Sequence, residues 1–285
     1  QSTQNKEKAM ILTFFHDLIR SIILGIVEGI TEWLPISSTG HLIIIEELIG
    51  YISSDAFMEM FDVVIQLGAI LAVVVIYFKK LNPFDREKTQ VEKTNTINLW
   101  IKVIIACIPA AVIGLLLDDW LEEHLFNSTV VAIALIVYGV AFIVIENRRN
   151  RDSIKCKNLD KMPLQTAVGI GLFQVLALIP GTSRSGSTII GGLLLGTTRY
   201  VATEFTFFLA IPVMLGASLL KLVKFGLPSF YELVMLIVGM FVSFVVSVLA
   251  IKFLLSYIKK NNFKIFGYYR IALGIIVLIY FNLIR

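Results

Sequence analysis

Residues 25–47, G-I-V-E-G-I-T-E-W-L-P-I-S-S-T-G-H-L-I-I-I-E-E, combine membrane-like hydrophobicity with ionisable and hydroxyl side chains. Charged groups at membrane depth are costly and rare, so they indicate function. Glu28 and Glu32 are four residues apart, which places both carboxylates on one face of a helix. Pro35 cannot continue that helix, and the S-S-T-G that follows suits a turn and the N-cap of a new helix. The stretch therefore predicts a broken helix, which a membrane tolerates only where protein or a water-filled cavity covers the break.

The composition indicates a polytopic membrane protein. Of the 285 residues, 57% are hydrophobic and only 16% are charged, whereas a typical soluble domain is about one-quarter charged. Two cysteines provide neither a disulfide framework nor a zinc-binding spacing. Residues 1–9 are polar and lack a methionine, so we expect Met10 to be the native start and the first nine residues to be an added sequence or disordered. We expect one integral membrane domain over residues 10–285.

The pattern of a broken helix followed by three apolar segments occurs twice. Residues 38–49 are too short to span ~30 Å of hydrocarbon, so with the preceding helix they predict a re-entrant hairpin. A second helix is broken at residues 180–188, P-G-T-S-R-S-G-S-T, and G-L-F-Q before it corresponds to G-I-V-E in the first half. Pro180 of the second break corresponds to Pro35 of the first, but the two prolines are one residue closer in sequence than the G-I-V-E and G-L-F-Q segments are. The predicted spans are residues 57–78, 99–117, 130–145, 203–222, 231–257 and 265–281.

The resulting fold class is an all-α polytopic membrane protein with an inverted-topology repeat. A hairpin plus three transmembrane helices crosses the membrane an odd number of times, so the second half must enter from the opposite face. The predicted repeats are residues 10–147 and 162–285, joined by a basic cytoplasmic loop over residues 148–161. Lys and Arg are concentrated in the loops at 79–98, 147–162 and 258–264, while the link at 118–124 is acidic. The positive-inside rule therefore predicts that both termini lie outside.

The second break favours an anion. Glycines and hydroxyl side chains precede a helix start there, where backbone N–H groups and the helix dipole attract negative charge. Arg184 adds a planar, permanently charged fork that suits phosphate oxygens. Two carboxylates beside a phosphate-binding turn suit a hard divalent cation such as Mg²⁺. The combination predicts phosphoryl chemistry on a lipid-linked anion.

The motifs E-G-x-T-E-x-L-P-x-S-S-T-G-H and P-G-x-S-R-S-G-x-T resemble the two signatures of the undecaprenyl pyrophosphate phosphatases of the bacitracin-resistance type. The resemblance also covers F-D-V-V-I-Q-L-G-A-I-L-A-V-V, R-Y-V-A-T-E-F and F-G-Y-Y-R. It implies a multi-pass enzyme of the bacterial cytoplasmic membrane, with an outward-facing site and a divalent metal, Mg²⁺ or Ca²⁺. That enzyme hydrolyses undecaprenyl diphosphate to the monophosphate carrier used in peptidoglycan synthesis. The functional positions that match the motifs are Glu28, Glu32, Ser37, Ser38, Thr39, His41, Ser183, Arg184, Ser185 and Thr188.

Chemistry suggests a role for each of these positions. Ser38 is the expected nucleophile, with His41 or Glu32 as its base, although attack by histidine or by water stays open. Glu28 and Glu32 are the expected metal ligands. Together with Glu32 and Arg184, Ser38 and His41 form the predicted catalytic set. The predicted phosphate-binding residues are Ser37, Thr39, Gly181, Ser183, Arg184, Ser185 and Thr188.

Two other functions were considered from the sequence. A polyprenyl-phosphate flippase or transporter would use the same anion site, but transport does not require a cluster of glutamate, serine and histidine. A phosphatase of the type-2 phosphatidic-acid family would need a histidine after the S-R motif, and the last histidine of this chain is His124. Arg199 and Glu204 are interpreted as an ion pair. The expected partners are the isoprenoid diphosphate substrate and membrane lipids, with no nucleic acid; the oligomeric state is left open, a homodimer included.

Overall fold

A computed structural model describes residues 2–149 and 154–281. Within these residues every regular element is helical, apart from a single bridge between Cys156 and Thr197. Arg151, in the predicted basic loop, lies outside the described residues. The helices are α1 (Ser2–Thr31), α2 (Ser38–Ile49), α3 (Asp55–Val64), α4 (Gln66–Ile76), α5 (Phe78–Leu81), α6 (Gln90–Leu125), α7 (Ser128–Arg148), α8 (Leu164–Val175), α9 (Arg184–Leu194), α10 (Arg199–Phe225), α11 (Phe230–Lys260) and α12 (Lys264–Ile279).

Six helical segments within the described residues are long and apolar enough to cross a membrane, which confirms an all-α multi-pass protein. Five of them match predicted spans, and the sixth is the apolar part of α1. The remaining predicted span, residues 265–281, coincides with α12, a helix of 16 residues that ends close to the last described residue. Length alone thus does not distinguish a re-entrant arm from a spanning helix. The segments are Met10–Thr31, Asp55–Ile76, Gln90–Leu117, Ser128–Arg148, Arg199–Phe225 and Phe230–Lys260.

Two helix boundaries differ from the prediction for identifiable local reasons. Helix α6 begins at Gln90 because Thr89 and Glu92 form a capping box, and it continues through the acidic segment that was predicted as a link. Helix α9 begins at Arg184, within residues 180–188, which were predicted as the second break. The S-R-S-G-S-T segment has the composition of a loop, but Ser183 caps it and it forms the first turns of the helix.

Close helix contacts at glycines hold the bundle together. Helix α7 crosses α12 where Gly139 and Gly267 meet, and a Cβ added to either would lie 2.7 Å from the backbone oxygen of the other. Helix α1 packs on α11 through Gly25, and α8 packs on α6 through Gly171. A Cβ at Gly171 would lie 2.2 Å from the carbonyl oxygen of Ala106, so only glycine permits this approach. These contacts bring the ends of α1 and α8 into the centre of the helix bundle.

Two interruptions of helical structure lie at this centre. The first break comprises residues 32–37, between α1 and α2. The second break comprises residues 179–183; it lies between α9 and the 3-10 turn Leu176–Leu178 that ends α8. Ser37 and Ser183, the last residues of the two breaks, are the described non-glycine residues with positive φ, at 74° and 72°. An L-residue rarely adopts this conformation, and such strain is concentrated at functional sites.

Candidate active site at the two helix breaks

The first break holds its glutamates by extending the helical turn. Helix α1 ends at Thr31, yet the backbone N–H of Glu32 still donates to the carbonyl oxygen of Glu28 at 3.0 Å. The two carboxylates therefore keep the helical spacing that the sequence predicted. Ser37 then turns the chain, and its Oγ accepts from the N–H of Gly40 at the start of α2.

The second break repeats this cap with a different helix start. Ser183 Oγ accepts from the backbone N–H of Gly186 at 3.1 Å. Gly181 has a φ of 88°, and a Cβ there would lie 2.4 Å from the carbonyl oxygen of Val131. Only glycine fits this position, so the second break is pressed against α7. The first helical residue after the cap is Arg184, where the first break has Ser38.

The carboxylate of Glu32 joins the two breaks. Its Oε1 accepts from Nη2 of Arg184 at 2.8 Å, and its Oε2 accepts from the hydroxyl of Ser38 at 2.9 Å. Arg184 also donates from Nη1 to the carbonyl oxygen of Thr206, and its guanidinium lies 5.9 Å from the centre of the Trp33 ring. Its Nε is buried without a hydrogen-bond partner. Two hydrogen bonds thus link the Ser38 hydroxyl, the Glu32 carboxylate and the Arg184 guanidinium.

Two further residues fix the breaks against each other. Ser185 donates from Oγ to the backbone oxygen of Glu32 at 3.1 Å. Arg270 of α12 is fully buried and donates from Nη1 to the carbonyl oxygen of Pro35. Its Nη2 donates to the carbonyl oxygens of Gly181 and Thr182, both at 2.8 Å. One guanidinium therefore holds carbonyl groups of both breaks, which would be costly to leave unpaired.

His41 does not reach Ser38 in the way the sequence predicted. Its Nδ1 lies 2.7 Å from the carbonyl oxygen of Ser37, which can only accept, so Nδ1 carries the proton. Its Nε2 lies 2.7 Å from the hydroxyl of Tyr269, and the two rings are stacked. Helix α2 lies outside the six candidate spans, and burial there lowers the pKa of His41. A neutral imidazole can accept from Tyr269, so this ring anchors α2 to α12.

The Ser38, Glu32 and Arg184 side chains line a cavity of about 710 Å³. Its polar end also includes Gln66, Gln174 and residues of the second break. Apart from Thr39 of α2, the rest of its wall is mainly apolar and comes from α6, α10 and the 3-10 turn Leu176–Leu178. Among the predicted site residues, the wall includes Thr39, Gly181 and Ser183 and does not include Glu28, Ser37, His41, Ser185 or Thr188.

The predicted site residues outside the cavity have other contacts. Thr188 donates to the backbone oxygen of Arg184 and accepts from Thr206, so it stabilises the start of α9. Glu28 is fully buried, and neither of its carboxylate oxygens has a hydrogen-bond partner. Such an unpaired group suits a cation. The described residues contain no group of three or more acidic, histidine or cysteine side chains that would form a complete metal cage.

No sequence pattern assigned a role to Arg270, Gln174 or Gln66, which contact the breaks or the cavity. The same is true of Tyr269, which contacts His41 of α2. The F-G-Y-Y-R segment was part of the family resemblance, but an arginine in an apolar helix carried its own signal of function. The predicted ion pair between Arg199 and Glu204 is wrong. Arg199 binds Glu146 with two hydrogen bonds, of 2.8 and 2.6 Å, and Glu204 pairs with Lys80.

These features describe a polytopic membrane protein with a serine, carboxylate and guanidinium site at the end of an apolar cavity. A sequence model of the family described as "Bacitracin resistance protein BacA" matches residues 21–276, and the chain belongs to this family. It is 59% identical to the undecaprenyl-diphosphatase of Lactiplantibacillus plantarum over 273 residues, which cover 94% of this chain and 99% of the relative. It is 58% identical over 270 residues to that of Enterococcus faecalis, covering 93% and 98% of the two chains. Undecaprenyl-diphosphatase 1 of Clostridioides difficile is 59% identical over 270 residues, which cover 94% of this chain and 97% of the relative.

Proposed function

We propose that this chain hydrolyses undecaprenyl diphosphate to undecaprenyl phosphate and phosphate, and so recycles the lipid carrier for cell-wall synthesis. The observation that carries the proposal is the connected set of Ser38, Glu32 and Arg184 at the polar end of an otherwise apolar cavity. The relatives that bear this name match nearly the full length of the chain. A transporter would need the anion site but not a serine hydroxyl that donates a hydrogen bond to a carboxylate.

The cavity has the chemical gradient that such a substrate needs. Arg184 and the positive N-terminal end of α9 lie at its polar end, where a diphosphate would bind. Leu115, Leu219 and Val223 line its other end and are exposed by 69%, 54% and 80%. These side chains lie on α6 and α10, which are candidate spans, so an isoprenoid tail could extend from this end into lipid.

The contacts favour Ser38 as nucleophile and Glu32 as its base. Ser38 Oγ attacks the terminal phosphorus while Glu32 Oε2 takes the hydroxyl proton. The bond from that phosphorus to the bridging oxygen breaks, and undecaprenyl phosphate leaves with the proton returned by Glu32. Water then attacks the phosphoserine and gives a proton to Glu32; phosphate leaves, and Ser38 regains its proton. Arg184 balances the charge that develops on the phosphoryl oxygens.

A divalent cation, Mg²⁺ or Ca²⁺, is part of the proposal. Glu28 and Glu32 would hold it, and the two buried, unpartnered oxygens of Glu28 support this assignment. When bound, the cation would neutralise charge on the diphosphate. We further propose that Glu32 keeps its contacts with Ser38 and Arg184 in that state, while Glu28 supplies the charge that faces the cation.

We also propose that the two halves form an inverted repeat with two re-entrant hairpins. Four pairs of corresponding residues support it, because each pair is separated by 146 residues: Gly25 and Gly171, Glu28 and Gln174, Ser37 and Ser183, and Gly40 and Gly186. The helix packing agrees with this correspondence. Helix α1 of the first half packs on α11 of the second, and α8 of the second half packs on α6 of the first. The reciprocal contact of Gly139 and Gly267 is the one expected at a pseudo-two-fold axis.

The loop charges support a cytoplasmic-membrane orientation with both termini and the active site facing outward. Cys156 is buried and would not report on this. Glu123 and Lys157 are exposed, so Glu123→Cys and Lys157→Cys variants are better probes. In intact cells an impermeant thiol reagent should label the former alone; labelling of the latter alone would reverse the orientation.

The activity is tested with purified protein and a polyprenyl diphosphate in detergent. We expect phosphate release that stops in excess chelator and returns with Mg²⁺ or Ca²⁺, and we expect Glu28→Gln to lose activity while it remains folded. Full activity in chelator would reject the cation. Movement of the lipid across a vesicle membrane without phosphate release would reject the phosphatase in favour of the transporter.

A further inference from the structure

Gln174 is a buried amide that the proposed reaction does not use. It lies near the end of α8, is 2% exposed and lines the same cavity as Ser38 and Arg184. Among the described residues, the thiol of Cys107 is the only side chain that hydrogen-bonds to its amide, and a thiol is a weak hydrogen-bonding group. Nε2 and Oε1 have no stronger partner within these residues.

A buried amide with so weak a partner needs an explanation. Buried polar groups are nearly always hydrogen-bonded, because leaving a donor or acceptor unsatisfied is destabilising. Ala110, Ala111 and Gly114 of α6 line the same cavity and offer no side-chain hydrogen bonds. The thiol of Cys107 satisfies the amide only weakly. Gln174 faces the space that a ligand would fill.

The corresponding residue of the first half identifies the kind of ligand. Gln174 corresponds to Glu28; both are deeply buried, and neither has a strong hydrogen-bond partner among the described residues. They differ by one group, because an NH₂ replaces a carboxylate oxygen and the negative charge is lost. A carboxylate suits a cation, whereas an amide N–H can donate to an anion and does not repel it. Of the two positions, only Gln174 lines the cavity.

We propose that Gln174 is a substrate-binding residue whose Nε2 donates a hydrogen bond to an oxygen of the lipid diphosphate. This inference rests on the proposed phosphatase function and adds one residue to its binding site. The two halves of the chain thus supply complementary groups at equivalent positions, a carboxylate for the cation and an amide for the phosphate. The role is binding rather than proton transfer, since an amide does not titrate.

Two substitutions at this position separate binding from folding. Gln174→Met keeps the length of the side chain and removes the amide, so KM for the diphosphate should rise by about 10-fold while kcat stays within about threefold. Gln174→Glu keeps the shape, removes the donor and adds charge, so kcat/KM should fall by about 100-fold or more. Ser243→Ala is the matched control, because Ser243 of α11 also has a buried, unpartnered polar atom but does not line the cavity. Its KM should equal that of the wild type.

A binding measurement keeps this inference distinct from the activity. A farnesyl methylenediphosphonate, which cannot be hydrolysed, should raise the melting temperature of the wild type and of Ser243→Ala, and should raise that of Gln174→Met less. If the wild type releases no phosphate but this difference persists, the proposed reaction fails and the binding role stands. If the wild type is active and Gln174→Met has an unchanged KM and an unchanged melting shift, the inference is overturned.

Discussion

The first and second breaks end in the same backbone conformation but are followed by different side chains. Ser37 and Ser183 adopt the same positive φ, and each caps a helix by accepting from the N–H three residues later. The next residue is Ser38 in one break and Arg184 in the other, and both donate to the carboxylate of Glu32. Two breaks of similar backbone conformation therefore place two different side chains, a serine hydroxyl and a guanidinium, on opposite oxygens of one carboxylate.

The difference shows how the proposed repeat would build an asymmetric site. An exact repeat would supply two serines or two arginines, and neither pair could both attack a phosphate and balance its charge. The two carboxylates of the site occur in the first half alone, since Gln174 and Leu178 stand where Glu28 and Glu32 would be expected from the proposed repeat. The backbone that the halves share positions the groups, and the side chains they do not share perform the chemistry.

The largest expected effect is at the nucleophile. Ser38→Ala removes the hydroxyl that Glu32 activates, so phosphate release should fall by at least about 10³-fold with an unchanged melting temperature. Steady-state assays of phosphate release measure it, with Ser243→Ala as a control for the loss of a buried hydroxyl. Substantial residual turnover would mean that water attacks directly, and the two breaks would then differ only in charge.

The corresponding change in the second break should have a smaller effect. Arg184→Lys keeps the positive charge but loses the fork that binds Glu32 and the Thr206 carbonyl together. We expect a fall in kcat/KM of about 10²-fold, because the charge is then misplaced relative to the phosphoryl oxygens. The kinetic constants of the purified variant measure this. A near-normal enzyme would show that Arg184 only holds the breaks together.

His41 and Tyr269 test whether the anchor of α2 is separate from the chemistry. We expect His41→Ala to lower kcat by about 10-fold and Tyr269→Phe by less, because both loosen α2 without removing the nucleophile or its base. The double variant should be no worse than His41→Ala, since the two side chains share one hydrogen bond. A loss with His41→Ala as large as that of Ser38→Ala would instead make His41 the base.

The smallest effects are expected at the shared caps. Ser37→Ala and Ser183→Ala each remove one N-cap and should lower the free energy of unfolding by about 1 kcal/mol. Both caps accept from the N–H three residues later, so the two losses should agree within about 1 kcal/mol. The larger loss is expected at Ser183, whose Oγ also lies 3.1 Å from Oγ of Ser185. Denaturant unfolding in detergent measures both. Clearly unequal losses would show that the two breaks are not equivalent as scaffolds.

Local patterns predicted the parts of this site that lie close in sequence. The bounds of α2 agree with the prediction because Pro35 and Ser37 are strong local signals. The meeting of Glu32 with Arg184 was also expected, since the repeat implies that the breaks approach each other. The start of α9 was missed because glycine and serine usually indicate a loop, and only the cap at Ser183 reveals the helix.

Contacts between distant residues could not be predicted in this way. Arg270 reaches both breaks from α12, and no periodicity or spacing indicates which carbonyl groups it binds. The same holds for Tyr269, whose hydroxyl hydrogen-bonds to Nε2 of His41, one of the two residues predicted as the base for Ser38. Ser38 and His41 both lie on α2, but tertiary packing determined their partners.

The proposal that Ser38 is the nucleophile is tested most directly by trapping the phosphoryl group in a single turnover. The enzyme is mixed with a polyprenyl diphosphate labelled in its terminal phosphate, quenched rapidly and digested for peptide mapping. We expect an acid-stable phosphoserine on Ser38 in the wild type and none at this position in Ser38→Ala. Glu32→Gln should strongly slow its formation. An acid-labile label on His41, or release of labelled phosphate with no labelled peptide at any time, would contradict this proposal.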